Sequence, residues 1–174
     1  VIGRPAVGTD LISGRAGSII ALLFLARTLG VEKALDAAKT LGAQLVGEAR
    51  HAPYPGTCWD SDIGVDEPPL CGVAHGASGV ALALAEHAIV DNDPRLLEAA
   101  DAAAMYERAW FQRQEGNWPD LRELTRNKLS RGISPAFPQF WCHGGIGIGL
   151  VRLRQFEISR QTIFAVEAET ALLS

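Results

Sequence analysis

The sequence predicts an all-α fold, an α/α toroid in which an outer layer of helices surrounds an inner layer. Two observations lead to this prediction. Segments that are apolar on nearly every side alternate with amphipathic segments, and each apolar segment begins with two glycines three residues apart. A helix that is apolar all round is buried, whereas an amphipathic helix keeps one face in solvent. The alternation therefore predicts repeated hairpins of one inner and one outer helix.

The first hairpin is predicted from the segments on either side of Gly30. Residues 18–29 are almost entirely apolar and predict an inner helix. From Val31 onward, apolar residues recur every three or four positions with charged residues between them, which is typical of an outer helix. Gly30 separates the two helices, since glycine often follows the last turn of a helix.

The same pattern then recurs along the chain. Residues 77–90 predict a second inner helix, and the amphipathic segment after it has Asp93 as its predicted N-cap and Pro94 as its first residue. A third apolar segment begins at Gly144 and is interrupted by two arginines. These two and a half hairpins are too few to close a ring, so we expect residues 1–174 to be an incomplete portion of the toroid.

A pair of glycines marks the start of each apolar segment. Their spacing has two interpretations: close packing of the helix start against its surroundings, or amide donors that face a site at the helix N-terminus. The pairs are Gly14 and Gly17, Gly76 and Gly79, and Gly144 and Gly147.

Composition excludes several classes of partner. The net charge is -4 and the sequence has no run of basic residues longer than a pair, so nucleic acid is not an expected partner. The longest apolar run, residues 19–26, is far shorter than the roughly 20 residues that cross a bilayer, so no membrane span is expected. The 3 cysteines form a sparse set that is typical of reduced thiols, and we expect a cytoplasmic protein.

The candidate site residues lie directly before the glycine pairs. Asp10 precedes Gly14 by four residues, His75 precedes Gly76, and Cys142 and His143 precede Gly144. If the hairpins stack alike, these side chains converge on one mouth of the toroid. A soft thiolate ligand, an imidazole that carries protons and a carboxylate that orients it are the groups of a metal-assisted acid/base site.

Each of these residues also has a purely structural interpretation. Asp10 could cap the first helix, since aspartate is a favoured N-cap. His75 could be a hydrogen-bonded core residue, and Cys142 a small buried hydrophobic residue.

The other reactive residue types are predicted to be structural. Cys58 and Cys71 have no partner at metal-ligand spacing, and His51 and His87 are expected at the surface or at helix ends. The segment 116–122 combines aromatic, acidic and basic residues, but residue types alone assign it no chemistry.

Four segments resemble the signatures of a known family. Residues 10–17, 72–79 and 141–150 resemble, in order, the three signatures of the lanthionine synthetase C-like cyclases. Residues 116–122 are similar to the C-terminal cyclase domain of the bifunctional class II enzymes, called LanM. The resemblance covers nearly the whole chain.

The resemblance implies a toroid with one catalytic zinc ion. In the family a Cys of a Trp-Cys motif and a later Cys-His pair bind the zinc, so Cys142 is the implied metal ligand. His75 corresponds to the catalytic histidine and Asp10 to its carboxylate partner. The Trp before Cys142 matches the first motif, so we expect the remaining zinc ligands beyond Ser174. Residues 1–174 then form a partial cyclase domain, truncated before the second zinc motif.

The implied function is that of a zinc-dependent peptide cyclase of lanthipeptide biosynthesis. Cysteine thiols of a dehydrated precursor peptide would add to dehydroalanine or dehydrobutyrine and form lanthionine or methyllanthionine rings, with a dehydratase domain as a possible neighbour in the same chain.

The alternative is a catalytically inactive toroid fragment that binds peptide or has a structural role. An α/α-barrel glycosidase would need two carboxylates, and only Asp10 occupies a motif position.

Overall fold

The computed structural model describes residues 8–51, 53–60, 68–123, 132 and 134–173. These residues form six α-helices and a one-turn 3-10 helix at Leu121–Glu123, with isolated β-bridges but no strand in the described part. The all-α prediction is confirmed. The segments 51–70 and 115–141, which are rich in Pro, Gly and Asp and are expected to be loops, lie partly outside the described residues. The helices are α1 (Arg15–Leu29), α2 (Glu32–Gly47), α3 (Ala77–Asp91), α4 (Pro94–Trp110), α5 (Gly145–Ser159) and α6 (Thr162–Leu173).

The helices form three hairpins, each with an inner and an outer member. The inner helices α1, α3 and α5 pack on the outer helices α2, α4 and α6, and α3 lies between α1 and α5. The sequence predicted only two and a half hairpins, which is wrong because α6 completes the third. Its apolar residues are spread around the helix and so lack the one-sided pattern of α2. Among the described residues, no helix is both long and apolar enough to cross a membrane.

Burial differs among the three inner helices. Ten of the fifteen residues of α3 are buried, as predicted for a helix that is apolar all round. The same prediction is wrong for α1, where three residues are buried and Phe24 and Leu29 are 56% and 68% exposed. The cause is the order of packing, because α3 has an inner helix on each side and α1 has one. The inner layer therefore presents an apolar surface along α1.

The glycine pairs allow a tight turn before each inner helix. A Cβ atom on the second glycine of each pair, Gly17, Gly79 or Gly147, would lie 2.0 Å from the carbonyl oxygen six residues earlier. No side chain fits at such a distance, so each position needs glycine. Of the two interpretations left open by the sequence, the structure supports close packing.

Hydrogen bonds link the three turns to one another in the same way. The backbone N–H groups of Leu11 and Ile12 donate to the carbonyl oxygen of Ala74, at 3.1 and 3.3 Å. The N–H groups of Val73 and Ala74 donate to the carbonyl oxygen of Cys142, at 3.0 and 2.9 Å. The repeated link sets the turns side by side at one end of the inner layer. Side chains that precede the glycine pairs are thereby brought together.

Candidate functional site

A pocket of about 120 Å³ lies at this end of the inner layer. It contains three of the four candidate residues, His75, Cys142 and His143, and the fourth, Asp10, contacts His75. Residues from the segment 116–122 complete it. The lining residues are Leu70, Cys71, Ala74, His75, Pro119, Asp120, Arg122, Cys142 and His143.

Asp10 and His75 form a hydrogen-bonded pair. Asp10 Oδ2 lies 2.6 Å from His75 Nδ1, and Oδ1 accepts the backbone N–H of Ser13 at 2.7 Å. Burial raises the pKa of Asp10, but the hydrogen bonds from His75 and Ser13 outweigh it and leave the pKa below its ordinary value. The ionised carboxylate accepts a hydrogen bond from the Nδ1–H group, so Nε2 of His75 is left for chemistry.

The structural interpretations of these two residues do not hold. The N-cap of α1 is Gly14, so Asp10 caps the turn before the helix instead of the helix itself. The side chain of His75 is 41% exposed, which excludes a core position.

A buried carboxylate on α4 fixes the turn that carries His75. Glu107 Oε1 accepts the backbone N–H groups of Gly72 and Ser78 at 2.8 and 3.0 Å, and Oε2 accepts the Ser78 hydroxyl at 2.5 Å. Arg152 Nη2 on α5 donates to Oε2 at 2.6 Å, and both charged side chains are fully buried. Glu107 therefore holds both ends of the turn around His75.

Sequence reasoning missed this ion pair. The arginines in the third apolar segment were noted only as interruptions, although Arg152 is a buried partner. A charged residue inside an otherwise apolar helix is the signal that could have found it, since buried charges are nearly always paired.

Cys142 contacts the imidazole that follows it in sequence. Cys142 Sγ lies 3.1 Å from His143 Nδ1, and His143 Nε2 lies 2.8 Å from Nη2 of Arg122. Cys142 is partly buried, so the interpretation as a buried hydrophobic residue does not hold. Burial and the positive charge of Arg122 lower the pKa of His143. The sequence singled out the segment of Arg122 but gave no sign of its contact with His143.

Cys142 fits one position of a zinc site. Its sulfur is a soft donor of the kind that zinc prefers, and it faces a pocket. Within the described ranges, no group of three or more His, Cys, Asp or Glu side chains is arranged to hold a metal ion. The described residues therefore include a soft donor but no complete ligand set for zinc.

The two remaining cysteines are buried, which agrees with their predicted structural role. Burial raises the pKa of Cys58 to about 11 and raises that of Cys71 well above its ordinary value. His51 is exposed as expected, whereas His87 lies near the end of a helix but not at the surface. His87 is 1% exposed because it lies on the central helix α3, where it packs against Gly42 of α2.

Stacked hairpins with an imidazole, a carboxylate and a thiol gathered at the N-terminal ends of the inner helices define a portion of an α/α toroid with a candidate catalytic mouth. The family model described as lanthionine synthetase C-like protein matches residues 3–174. The chain belongs to this family.

Among solved structures, the fold is similar to that of nisin cyclase. The TM-score is 0.65 with 19% sequence identity, over 97% of this chain and 45% of the nisin cyclase chain. The chain thus spans less than half the length of this relative, and at this identity the likeness concerns the fold. No curated protein matches the chain in sequence.

Proposed function

We propose that this chain carries part of the catalytic centre of a zinc-dependent peptide cyclase that forms lanthionine and methyllanthionine rings. The observation that carries the proposal is that His75 and Cys142 line the same pocket and that Asp10 is hydrogen-bonded to His75. Membership of the lanthionine synthetase C-like family supports the same reaction class.

His75 moves the proton of the reaction. When a peptide thiolate adds to the β-carbon of dehydroalanine or dehydrobutyrine, a C–S bond forms and the electron pair of the double bond passes into an enolate. His75, in its imidazolium form, gives a proton from Nε2 to the α-carbon and recovers one that the thiol has released. Asp10 keeps Nδ1 protonated and the ring in place throughout, as a carboxylate behind a general acid does.

Cys142 would hold zinc through its sulfur, together with further ligands. A bound zinc ion would supply the deprotonation of the substrate thiol, whose pKa near 8.5 leaves only a few per cent ionised at neutral pH. The substrate is a dehydrated precursor peptide. The proposal also includes a dehydratase domain in the same chain and a cytoplasmic location for the protein.

Cys142→Ala in the zinc-loaded protein tests the proposal. The probe is a synthetic peptide with one cysteine and one dehydroalanine, and ring closure is measured as the loss of thiol that reacts with iodoacetamide. Addition leaves the peptide mass unchanged, so the two measurements together identify a ring. We expect the variant to lose both bound zinc and the rate above the uncatalysed background.

Cys58→Ala is the matched control, because Cys58 is a buried cysteine away from the pocket. It should keep zinc and rate. Undiminished ring closure in Cys142→Ala would contradict the proposal. Binding of the probe peptide by the unsubstituted protein without any ring closure would instead favour the inactive fragment that binds peptide.

A further inference from the structure

The segment 116–122 ends inside the pocket, and its last charged residues face His143. Arg122 Nε and Nη2 donate to Asp120 Oδ1 and Oδ2 at 2.8 and 2.5 Å, a bidentate pair. The backbone N–H of Asp120 donates to the carbonyl oxygen of Ala136 at 2.8 Å, which anchors the segment. A bidentate contact fixes the plane of a guanidinium group as well as its position. Arg122 is therefore oriented before it meets His143.

The contact with Arg122 determines which nitrogen of His143 carries a proton. Arg122 Nη2 lies 2.8 Å from His143 Nε2. A guanidinium group has donors and no acceptor, so Nε2 must accept and cannot itself carry hydrogen. Asp120 Oδ2 lies 3.7 Å from the same nitrogen, too far for a competing hydrogen bond. The proton of the neutral ring is thus on Nδ1.

Nδ1 faces the sulfur of Cys142. The distance from Nδ1 to Sγ is 3.1 Å, so the Nδ1–H group donates to the sulfur. The ring of Phe140 meets the His143 ring edge to face at 5.3 Å between centroids and limits its rotation. Because Nδ1–H donates to Cys142 and Nε2 accepts from Arg122, the one in-plane lone pair of the neutral His143 ring is not available to a metal ion.

We propose that Asp120, Arg122 and His143 form a chain of hydrogen bonds that orients the Cys142 sulfur as a metal donor, and that His143 is a positioning residue and not a ligand. The inference rests on the proposed function, in which Cys142 binds zinc. Partners of this kind that hold a ligand from behind are common at metal sites, and their loss weakens the site although they never touch the metal.

The tautomer of His143 tests this inference. The protein is labelled with ¹⁵N-histidine, freed of metal, and examined by long-range ¹H–¹⁵N correlation, in which protonated and unprotonated ring nitrogens have well-separated shifts. His143→Gln identifies the signals of this residue. We expect His143 to have its proton on Nδ1, the less common tautomer of free histidine. A proton on Nε2 of His143 would overturn the inference.

Two variants of Arg122 separate positioning from general structural support. Arg122→Met removes the donor and should shift the His143 proton to Nε2, whereas Arg122→Lys keeps a donor and should keep the proton on Nδ1. His75, whose Nδ1 contacts Asp10, serves as the internal reference and should not change in either variant. An unchanged tautomer of His143 in Arg122→Met would contradict the chain of hydrogen bonds.

Zinc added alone completes the test. We expect both the Nδ1–H pattern and the Nε2 shift of His143 to persist when zinc is bound. Loss of the Nδ1 proton, or a changed Nε2 shift on zinc binding, would show that His143 is a ligand. None of these readouts depends on ring closure. An inactive protein with the expected tautomer would thus contradict the proposed function while it leaves the role of His143 intact.

Discussion

Two histidines lie near the two ends of α3, and their surroundings differ in every respect that governs histidine chemistry. His75 precedes the helix, has a side chain 41% exposed, and contacts the Asp10 carboxylate through Nδ1. His87 lies in the second half of the helix and is 1% exposed, and neither of its ring nitrogens has a hydrogen-bond partner among the described residues.

The difference shows that the surroundings of a histidine, and not its residue type, decide whether it can take part in proton transfer or only fills space in the core. The ring of His75 is accessible and has a fixed tautomer, as a group that transfers protons requires. The ring of His87 fills space against Gly42, and burial lowers its pKa, which favours the neutral form. Three changes can break or sharpen this contrast.

The largest effect is expected when the accessible histidine is changed. His75→Asn should keep zinc but lower the rate of ring closure by about 10²- to 10⁴-fold, the usual contribution of a positioned general acid. The measurement is the loss of reactive thiol in the probe peptide. His51→Asn, at an exposed histidine outside the pocket, should keep the full rate. If His75→Asn retained the rate of ring closure, the proposed difference in role between His75 and His87 would be contradicted.

The next effect concerns the support beneath His75. Glu107→Gln leaves the Arg152 guanidinium buried without a charged partner at this position and weakens the hydrogen bonds to Gly72 and Ser78. Removal of one partner of a buried ion pair costs about 3–5 kcal/mol, although Glu167, 3.0 Å from Arg152 Nε, moderates the loss. The free energy of unfolding in urea measures it.

Glu98→Gln is the control for this change, since Glu98 is exposed on the same helix. Its effect should stay within about 0.5 kcal/mol. Equal stability of the two variants would mean that the turn of His75 is held by packing alone, as His87 is.

Local patterns were enough to predict much of the fold and to predict that the candidate site residues lie together. The glycine pairs and the apolar run of α3 follow from residues close in sequence, because each turn closes on a carbonyl oxygen six residues earlier. Asp10, His75 and Cys142 became candidates because each lies just before a pair of glycines. Their positions depend on one repeated backbone geometry, which the sequence displays three times.

The features that the sequence did not predict depend on contacts between distant residues. Whether α1 is buried depends on which helices pack beside it. The same holds for His87, because a periodic pattern predicts that a residue lies on a helix but does not predict which other helix it contacts. The partner of Arg152 lies 45 residues away on α4, and that of His143 lies 21 residues away in a loop. No spacing rule within one helix or strand describes such pairs.

The smallest effect is expected from the buried histidine, and it appears as a dependence of stability on pH. Burial lowers the pKa of His87 in the folded protein below that of the unfolded chain; Asp91 and Asp93 oppose this shift, and Lys39 adds to it. The unfolded chain therefore binds the proton more readily. The stability that His87 contributes is fully present above the ordinary histidine pKa of about 6.5 and is lost as the pH falls toward the folded value.

His87→Phe keeps a flat ring and removes the titration. Between about pH 7 and pH 5, the free energy of unfolding should fall less steeply in the variant than in the unsubstituted protein, while the other histidines, common to both, cancel in the difference. Urea denaturation at several pH values measures the two slopes. Identical slopes would mean that His87 binds a proton in the folded state as easily as in the unfolded chain. His75 and His87 would then differ only in their access to the pocket.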